Sequence, residues 1–566
     1  MDNLAIKFIP TRTGKETMEI NGFLIHSKYD PEKEAKRILE KELKDGFINI
    51  IFGFGQGFLA EELKKQKIDA KKILFIEPLK ELINNNVGPY TVYNGMDLDE
   101  IEKEIDKKLR FYSQKINIIC LPNYDKIFLD FYRDLLLRIK DKQSFNEIFT
   151  NTIRWKSEAW QENQIKNTLY SYVDLSLNVL EKKYNCPIVI ASSGPSLTKQ
   201  LSLLKEILPN VILIAAGSTL TTLLKNGIEP DYIISIEGAL SNYEKHFKEQ
   251  KLNKAQLIYS CDNNYMIQKN YKLPRYAFLD SLSSKLHNYL KRNFNIDLPL
   301  IHGGGSVANF ALSIARFLTT GEIALIGQDL AYLNNETHAK GNKNNQTITQ
   351  KFLEKVKPFE VEGYYGTPVL TNHSFITMKH CFEEIIQSIE LKDKIYNCTE
   401  GGLKINGMKQ MPFLKFCDQF VKRENIVSLY ETTNKQNGSY IHYRNVINKD
   451  ISIYKEILVE LKKGQTALKT NNSNHEFSQK TLTALDKVDS KVEKLKTKVP
   501  SEKIFDPITL DIMNFYEPKG KETREEMYSR VYRQNIDLYS KTIEAIEKTI
   551  DFAKEAKEDA EKLLGE

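Results

Sequence analysis

The apolar run IVIA, residues 188–191, ends in Ser192-Ser193-Gly194-Pro195-Ser196 and passes into the helical pattern SLTKQLSLLKEIL. A helix that opens on small hydroxylic residues presents free backbone amides, and such an end attracts phosphate. Gly194 permits close backbone approach. Ser192, Ser193 and Ser196 add hydroxyl donors, and Ser196 also suits the helix N-cap. The design repeats in AAGSTLTTLLKNGIEPDYIISIEG, where Gly217 and Ser218 follow one strand and Glu237 closes the next. HGGGSVANFALSIARFL sets Gly303, Gly304 and Gly305 before Ser306 and an apolar helix. That is a backbone arrangement suited to an anion. His302 beside it reads as a packed core histidine. IALIGQDLAYLNNETHAKG closes a strand in Gln328 and Asp329 and leads through a polar loop to Thr337-His338. VEGYYGTPVLTNHSF then supplies Tyr364, Tyr365 and His373. Histidines and tyrosines on loops beside a phosphate site fit acid–base and leaving-group roles. For each histidine taken singly, a plain surface position is the alternative.

These residues need a scaffold that brings several strand ends together. CPIVIASSG, NVILIAAGS, DYIISIEG, AQLIYSCD, RYAFLD and EIALIGQDL are short and rich in β-branched residues, with helical stretches between several of them. That alternation predicts an α/β domain with a mostly parallel, Rossmann-like sheet over residues 161–430. Ligands of such sheets bind beyond the carboxyl ends of the strands. Residues 1–160 read as a smaller Rossmann-like α/β domain, from FINIIFGFGQG, FLAEELKKQ and KKILFIEP. Its Gly53, Gly55 and Gly57 do not spell GxGxxG, so the turn is either a nucleotide turn or a simple strand–turn–helix with Glu77 a surface acid. NTIRWKSEAWQENQIKN, with both tryptophans, reads as a connecting helix.

Residues 431–566 predict an all-helical domain. Leu482, Leu485, Val488, Val492, Leu495 and Val499 form a helical stripe that Pro500 closes. A polar connection, TNNSNHEFSQ, precedes it, and SRVYRQNIDLYSKTIEAIEKTIDFAKEAKEDAEKLL reads as a second long helix. The bundle either packs on itself or docks a helical protein.

The 566 residues carry a net charge of +6 and 41% hydrophobic residues. That mild basicity suits an anionic substrate and falls short of a nucleic-acid footprint. No apolar run is long enough to span a membrane, and the N-terminus lacks the apolar core of a signal peptide. Six cysteines stand far apart without a CxxC pair, so neither zinc nor a disulfide framework is indicated. The expected compartment is the cytoplasm.

SSGPSL, GGGSVAN and IGQDLAY…THA, in that order and spacing, resemble the motility accessory factor (Maf) family, most strongly over residues 185–410. The resemblance implies an enzyme that modifies flagellin with a nonulosonic acid of the pseudaminic or legionaminic type. The central domain is also similar to bacterial sialyltransferases that use CMP-sugars. In those a Gly-x-Gly-Pro-Ser-Leu turn binds the nucleotide; here Ser192 replaces the first glycine. By that likeness the neighbourhood of Gly304, Gly305 and Ser306 corresponds to a Thr-Ser-Gly turn. His338 falls near a tyrosine that steadies the leaving phosphate, and His373-Ser374 near a lid histidine that acts as base. The roles of His338 and His373 are exchangeable on this alignment, with Tyr364 or Tyr365 a further holder of the phosphate. Glu237 stands where the family implies aspartate.

The resemblance thus implies an inverting glycosyltransferase with a histidine base, a CMP-activated nonulosonic acid as donor and a Ser or Thr of flagellin as acceptor. Asp329 and Glu237 end different strands, so no cluster of acids reads as a metal site and no obligatory metal or cofactor is expected; the reading is compatible with a homo-oligomer. Rival readings are a magnesium–ATP pterin-type diphosphokinase, which shares the Gly-Pro-Ser turn, a methyltransferase using Gly53–Gly57 and Glu77, and a flagellin-binding chaperone that retains a nucleotide pocket.

Overall fold

The computed structural model describes residues 4–79, 88–109, 115–388, 392–430, 438–471, 475–516 and 522–565, with the side chains of 141, 144–154 and 514 outside that description. The expected boundary at 430/431 and residues 472–474 of the polar connection therefore lie outside the described residues. The chain divides into two compact units: the first takes residues 1–154, 474–476 and 509–535, the second 155–473, 477–508 and 536–566. The divisions fall inside the helices Leu129–Val173, Glu502–Phe515 and Arg524–Leu564.

In the first unit, strands β1 (Ile6–Pro10), β2 (Glu16–Ile20) and β3 (Phe23–Leu24) make a small antiparallel sheet that the hydrophobic pattern did not reveal. Strands β4 (Ile48–Phe52), β5 (Ile73–Glu77), β6 (Thr91–Asn94) and β7 (Ile116–Cys120) form a parallel sheet in the order β6-β5-β4-β7. Its glycine turn is filled from within. Glu77 is not a surface acid but fully buried. One carboxylate oxygen accepts the amides of Phe54 (2.8 Å) and Gly55 (3.1 Å) and the hydroxyl of Tyr124 (2.8 Å). The other accepts the amide of Leu79 at 2.9 Å. Gly55, at φ +55°, leaves room for His26, whose Nε2 accepts the amide of Gln56 at 3.3 Å. Burial holds His26 neutral, its pKa lowered to about 4. With these amides engaged, the turn that a methyltransferase reading needs is already occupied by the protein's own side chains.

The second unit is built on a ten-stranded sheet whose strands all pair parallel. Its strands are β8 (Leu175–Ser176), β9 (Ile188–Ala191), β10 (Ile212–Ala216), β11 (Tyr232–Ser235), β12 (Gln256–Ser260), β13 (Arg275–Asp280), β14 (Leu300–Ile301), β15 (Ile323–Ile326), β18 (Ile395–Asn397) and β19 (Lys409–Gln410). An antiparallel hairpin of β16 (Phe359–Glu362) and β17 (Pro368–Thr371) stands apart from it. Five of the expected strands, β9 to β12 and β15, are buried along their length or nearly so, as continuous β-branched runs should be in a parallel sheet covered on both faces. The order β14-β13-β12-β11-β10-β9-β15-β18-β19 shows the key feature. The chain lays strands outward from β9 to β14, then returns to place β15 on the other side of β9. The crevice between β9 and β15 at their carboxyl ends is the topological switch point, where open parallel sheets bind ligands.

Helices Tyr440–Lys469 and Gln479–Lys496 also belong to this second unit. Leu485, Val488, Val492, Leu495 and Val499 of the stripe are buried, while Leu482 is 40% exposed. Tyr443 and Tyr454 are fully buried, Tyr454 donating to the carbonyl of Pro500 at 2.6 Å. These contacts match the plain reading of helices that pack on their own chain. No helix is long and apolar enough to cross a membrane among the described residues.

Candidate functional site

A cavity of about 250 Å³ lies at the switch point. It is lined by the turn after β9 (Ser192, Ser193, Gly194, Pro195), by Ala216 at the end of β10 and Ser218 beyond it, and by Gly327 to Ala331 after β15. Ser306, Val307 and Ala308 enter from the helix Val307–Leu318, and Thr337, His338, Phe375 and Met378 complete the wall. Of the residues expected from sequence, Ser193, Gly194, Ser218, Ser306, Gln328, Asp329 and His338 therefore meet in one cleft. A larger cavity of about 650 Å³ opens at the opposite, amino-terminal edge of the sheet, by Pro187, Asn210 and Glu322. It holds no glycine–serine turn and no histidine.

The floor is a tight knot around Asp329. Its carboxylate accepts the amide of Ser196 at 2.9 Å and so caps the helix Leu197–Ile207 from the next strand. A Cβ on Gly194 would stand 2.3 Å from that carboxylate, and one on Gly402 would stand 2.0 Å from the Asp329 carbonyl. Burial pushes the Asp329 acid up to about 6, opposed by the hydrogen bonding of Ser196. Leu330 follows at φ +50°, a conformation that costs a branched residue energy and that clusters at functional sites. Ser192 donates to Gln328 Oε1 at 2.5 Å and so ties the end of β9 to that of β15.

This knot changes what the first turn offers a ligand. The amide of Gly194 bonds the carbonyl of Gly327 at 2.9 Å, and that of Ser196 bonds Asp329. Ser196 is 5% exposed, makes no side-chain cap and does not line the cavity. Two other helices bring their N-termini to the cavity. Gly217–Lys225 starts without a side-chain cap and brings Ser218 to the cavity, and Gly217 leaves room for Phe247, whose ring would be 2.7 Å from an added Cβ. Val307–Leu318 starts at Ser306, whose hydroxyl accepts the amide of Asn309 at 3.3 Å.

His338 is held by a strap that sequence reading missed. The amide of Ala339 donates to Ser193 O at 2.9 Å, that of Lys340 to Thr198 Oγ1 at 3.1 Å, and Asn342 Nδ2 to Ser218 O at 2.9 Å. The strap thus joins the turns after β9 and β10. The ring of His338 sits 3.1 Å from Thr337 Oγ1 through Nδ1, and its amide donates to Asn345 Oδ1 at 3.2 Å. Burial lowers its pKa below 6.5, so the imidazole is neutral at pH 7.

The remaining candidates lie elsewhere. Glu237 accepts from Lys156 at 2.8 Å beyond β11 and does not line the cavity. Gly304, at φ +79°, faces Cys381, with an added Cβ only 2.7 Å from its sulfur, so its smallness admits the helix His373–Ser388; a Cβ on Gly305 would make only ordinary contacts with that helix. Tyr364 is buried and donates to Asn397 O at 3.2 Å, and Tyr365 is 67% exposed at the β16–β17 tip. His373 opens the helix His373–Ser388, its ring 4.7 Å from that of Phe359, and does not line the cavity. His302 is exposed rather than packed, 3.3 Å from Ser281 Oγ. Leu330, Ala331, Phe375 and Met378 were not foreseen. Apolar residues on an insertion give no sign of the face they cover until the chain is folded. Among the described residues, no three His, Cys, Asp or Glu side chains converge as a metal site would require.

Residues 162–335 match the family described as 6-hydroxymethylpterin diphosphokinase MptE-like. Over nearly its whole length the fold is similar to a MAf glycosyltransferase from Magnetospirillum magneticum AMB-1, with a TM-score of 0.55, 12% identity, and coverage of 97% of this chain and 92% of that one. No curated protein matches the chain in sequence.

Proposed function

We propose that the chain is a glycosyltransferase that moves a nonulosonic acid of the pseudaminic or legionaminic type from its CMP-activated form to a Ser or Thr hydroxyl of flagellin, with inversion. The observation that carries this reading is the cavity at the β9/β15 switch point, where hydroxyls, two helix N-termini and a neutral histidine converge. The likeness of fold to a MAf glycosyltransferase supports it.

Departure of the sugar leaves positive charge on the sugar and negative charge on the CMP phosphate. Ser193 and Ser218, with the backbone amides that open the helices Gly217–Lys225 and Val307–Leu318, meet that negative charge, and helix dipoles favour it. His338 takes the proton of the acceptor hydroxyl as the new C–O bond forms and the bond to phosphate breaks. A neutral imidazole is required for that step, and burial keeps His338 neutral. The reading needs no metal, because amides, hydroxyls and helix ends answer the phosphate.

Kinetics test the assignment. His338→Ala should lower kcat about 10²- to 10⁴-fold with the CMP-sugar still bound, and His373→Ala should leave kcat within a few-fold. The reverse pattern would transfer the base to His373. The diphosphokinase reading draws on the match over 162–335. It requires carboxylates that converge on magnesium, whereas Glu237 lies outside the cavity that Asp329 lines, and among the described residues no three acid, histidine or cysteine side chains come together. ATP turnover in magnesium without CMP binding would favour it.

A further inference from the structure

The cavity lining is of two chemical kinds: hydroxyls, Gln328 and His338, and the apolar Phe375 and Met378 of the helix His373–Ser388, both of which also pack against the core. Phosphate and an acid–base step explain the first kind only. The second is built with care. Asn372 Oδ1 accepts the amide of Phe375 at 2.9 Å, and Asn372 Nδ2 donates to Tyr332 Oη at 2.5 Å. The ring of Tyr332 lies 5.4 Å from that of Phe375, and Phe352 braces Tyr332 from its other side at 5.3 Å. Further along the helix, Met378 O accepts from Asn309 Nδ2 at 3.1 Å. The Phe375 ring is therefore fixed from behind while it remains half-buried and lines the cavity. A braced, partly open aromatic ring in the same lining as hydroxyls and helix N-termini suits a flat ring attached to a phosphate.

We propose that Phe375 is the specificity-determining platform on which the donor's nucleobase stacks, with Asn372 and Tyr332 as its positioning residues. The inference rests on the nucleotide-sugar reading above and adds where the base lies. Base–aromatic stacking responds to the ring and tolerates exchange among aromatic side chains, whereas simple packing responds to volume.

The test uses the full chain and calorimetric titration with CMP and with ribose 5-phosphate, which has the phosphate and sugar but no base. The native protein should bind CMP more tightly. Phe375→Ala should weaken CMP by about 5- to 150-fold, the range expected for one lost base stack, and leave ribose 5-phosphate within about two-fold. Phe375→Leu keeps apolar bulk and should lose most of the CMP preference at an unchanged melting temperature, while Phe375→Trp should keep it. Equal weakening of both ligands by Phe375→Ala, or full CMP preference in Phe375→Leu, overturns the proposal while sparing the nucleotide reading. Native protein that binds neither ligand overturns both.

Discussion

Asp329 shows how a single residue organises the site. Its carboxylate sits on the Ser196 amide at 2.9 Å, and glycines at 194 and 402 leave it the room. The serines and glycines at the strand ends were legible in the sequence because a buried apolar run has few other reasons to stop in them. Which amides remain for a ligand was not legible. That depends on Asp329 reaching across from β15 to cap a helix that follows β9, a contact between residues 133 positions apart. His338 carries the pH consequence. Its pKa is lowered in the fold by burial, so the neutral imidazole persists to more acid pH than a free one would. The acid limb of kcat should accordingly lie below pH 6.5, measured as a pH–rate profile with saturating donor; a limb above that value would remove His338 as the base.

At the scale of elements, the strands were the most readable part, since β9 to β13 and β15 are apolar runs bounded by turns. The two-residue strands β8, β14 and β19 and the β16–β17 hairpin gave little pattern to read. The strap that holds His338 was hidden for another reason: its order comes from bonds to Ser193, Thr198 and Ser218, none of which its own sequence announces. The helix Tyr440–Lys469 reaches the core through Asp450, which accepts from the hydroxyl of Tyr289. Burial pushes Asp450 up to about 7, against the opposing hydrogen bond of Tyr289. A carboxyl whose folded pKa is raised holds its proton better in the fold, so its contribution is full near pH 4 and is lost as pH rises through about 7. Asp450→Asn should therefore raise the melting temperature at pH 8, by an amount reflecting on the order of 1–4 kcal/mol, and change little near pH 4. A pH-independent effect in thermal unfolding would contradict this account.

For the molecule as a whole, the two units differ in what they offer a ligand. The first has a nucleotide-type topology whose glycine turn is filled by Glu77, while the second keeps its switch point open beside His338. Both units read as Rossmann-like in sequence, because strand–glycine–helix order is the same in each; a buried acid engages turn amides in both, but among the described residues a cavity at the strand ends accompanies it in the second. The C-terminal helices supply buried tyrosines to the second unit, so acceptor docking on them is better tested by exchanging exposed side chains than by deletion. The central claim, transfer of a nonulosonic acid to flagellin, is tested most directly by intact mass spectrometry of unmodified flagellin incubated with the purified protein and CMP-nonulosonate. A gain of whole nonulosonate residues that is lost in His338→Ala is the predicted result; flagellin of unchanged mass with the native protein would contradict it.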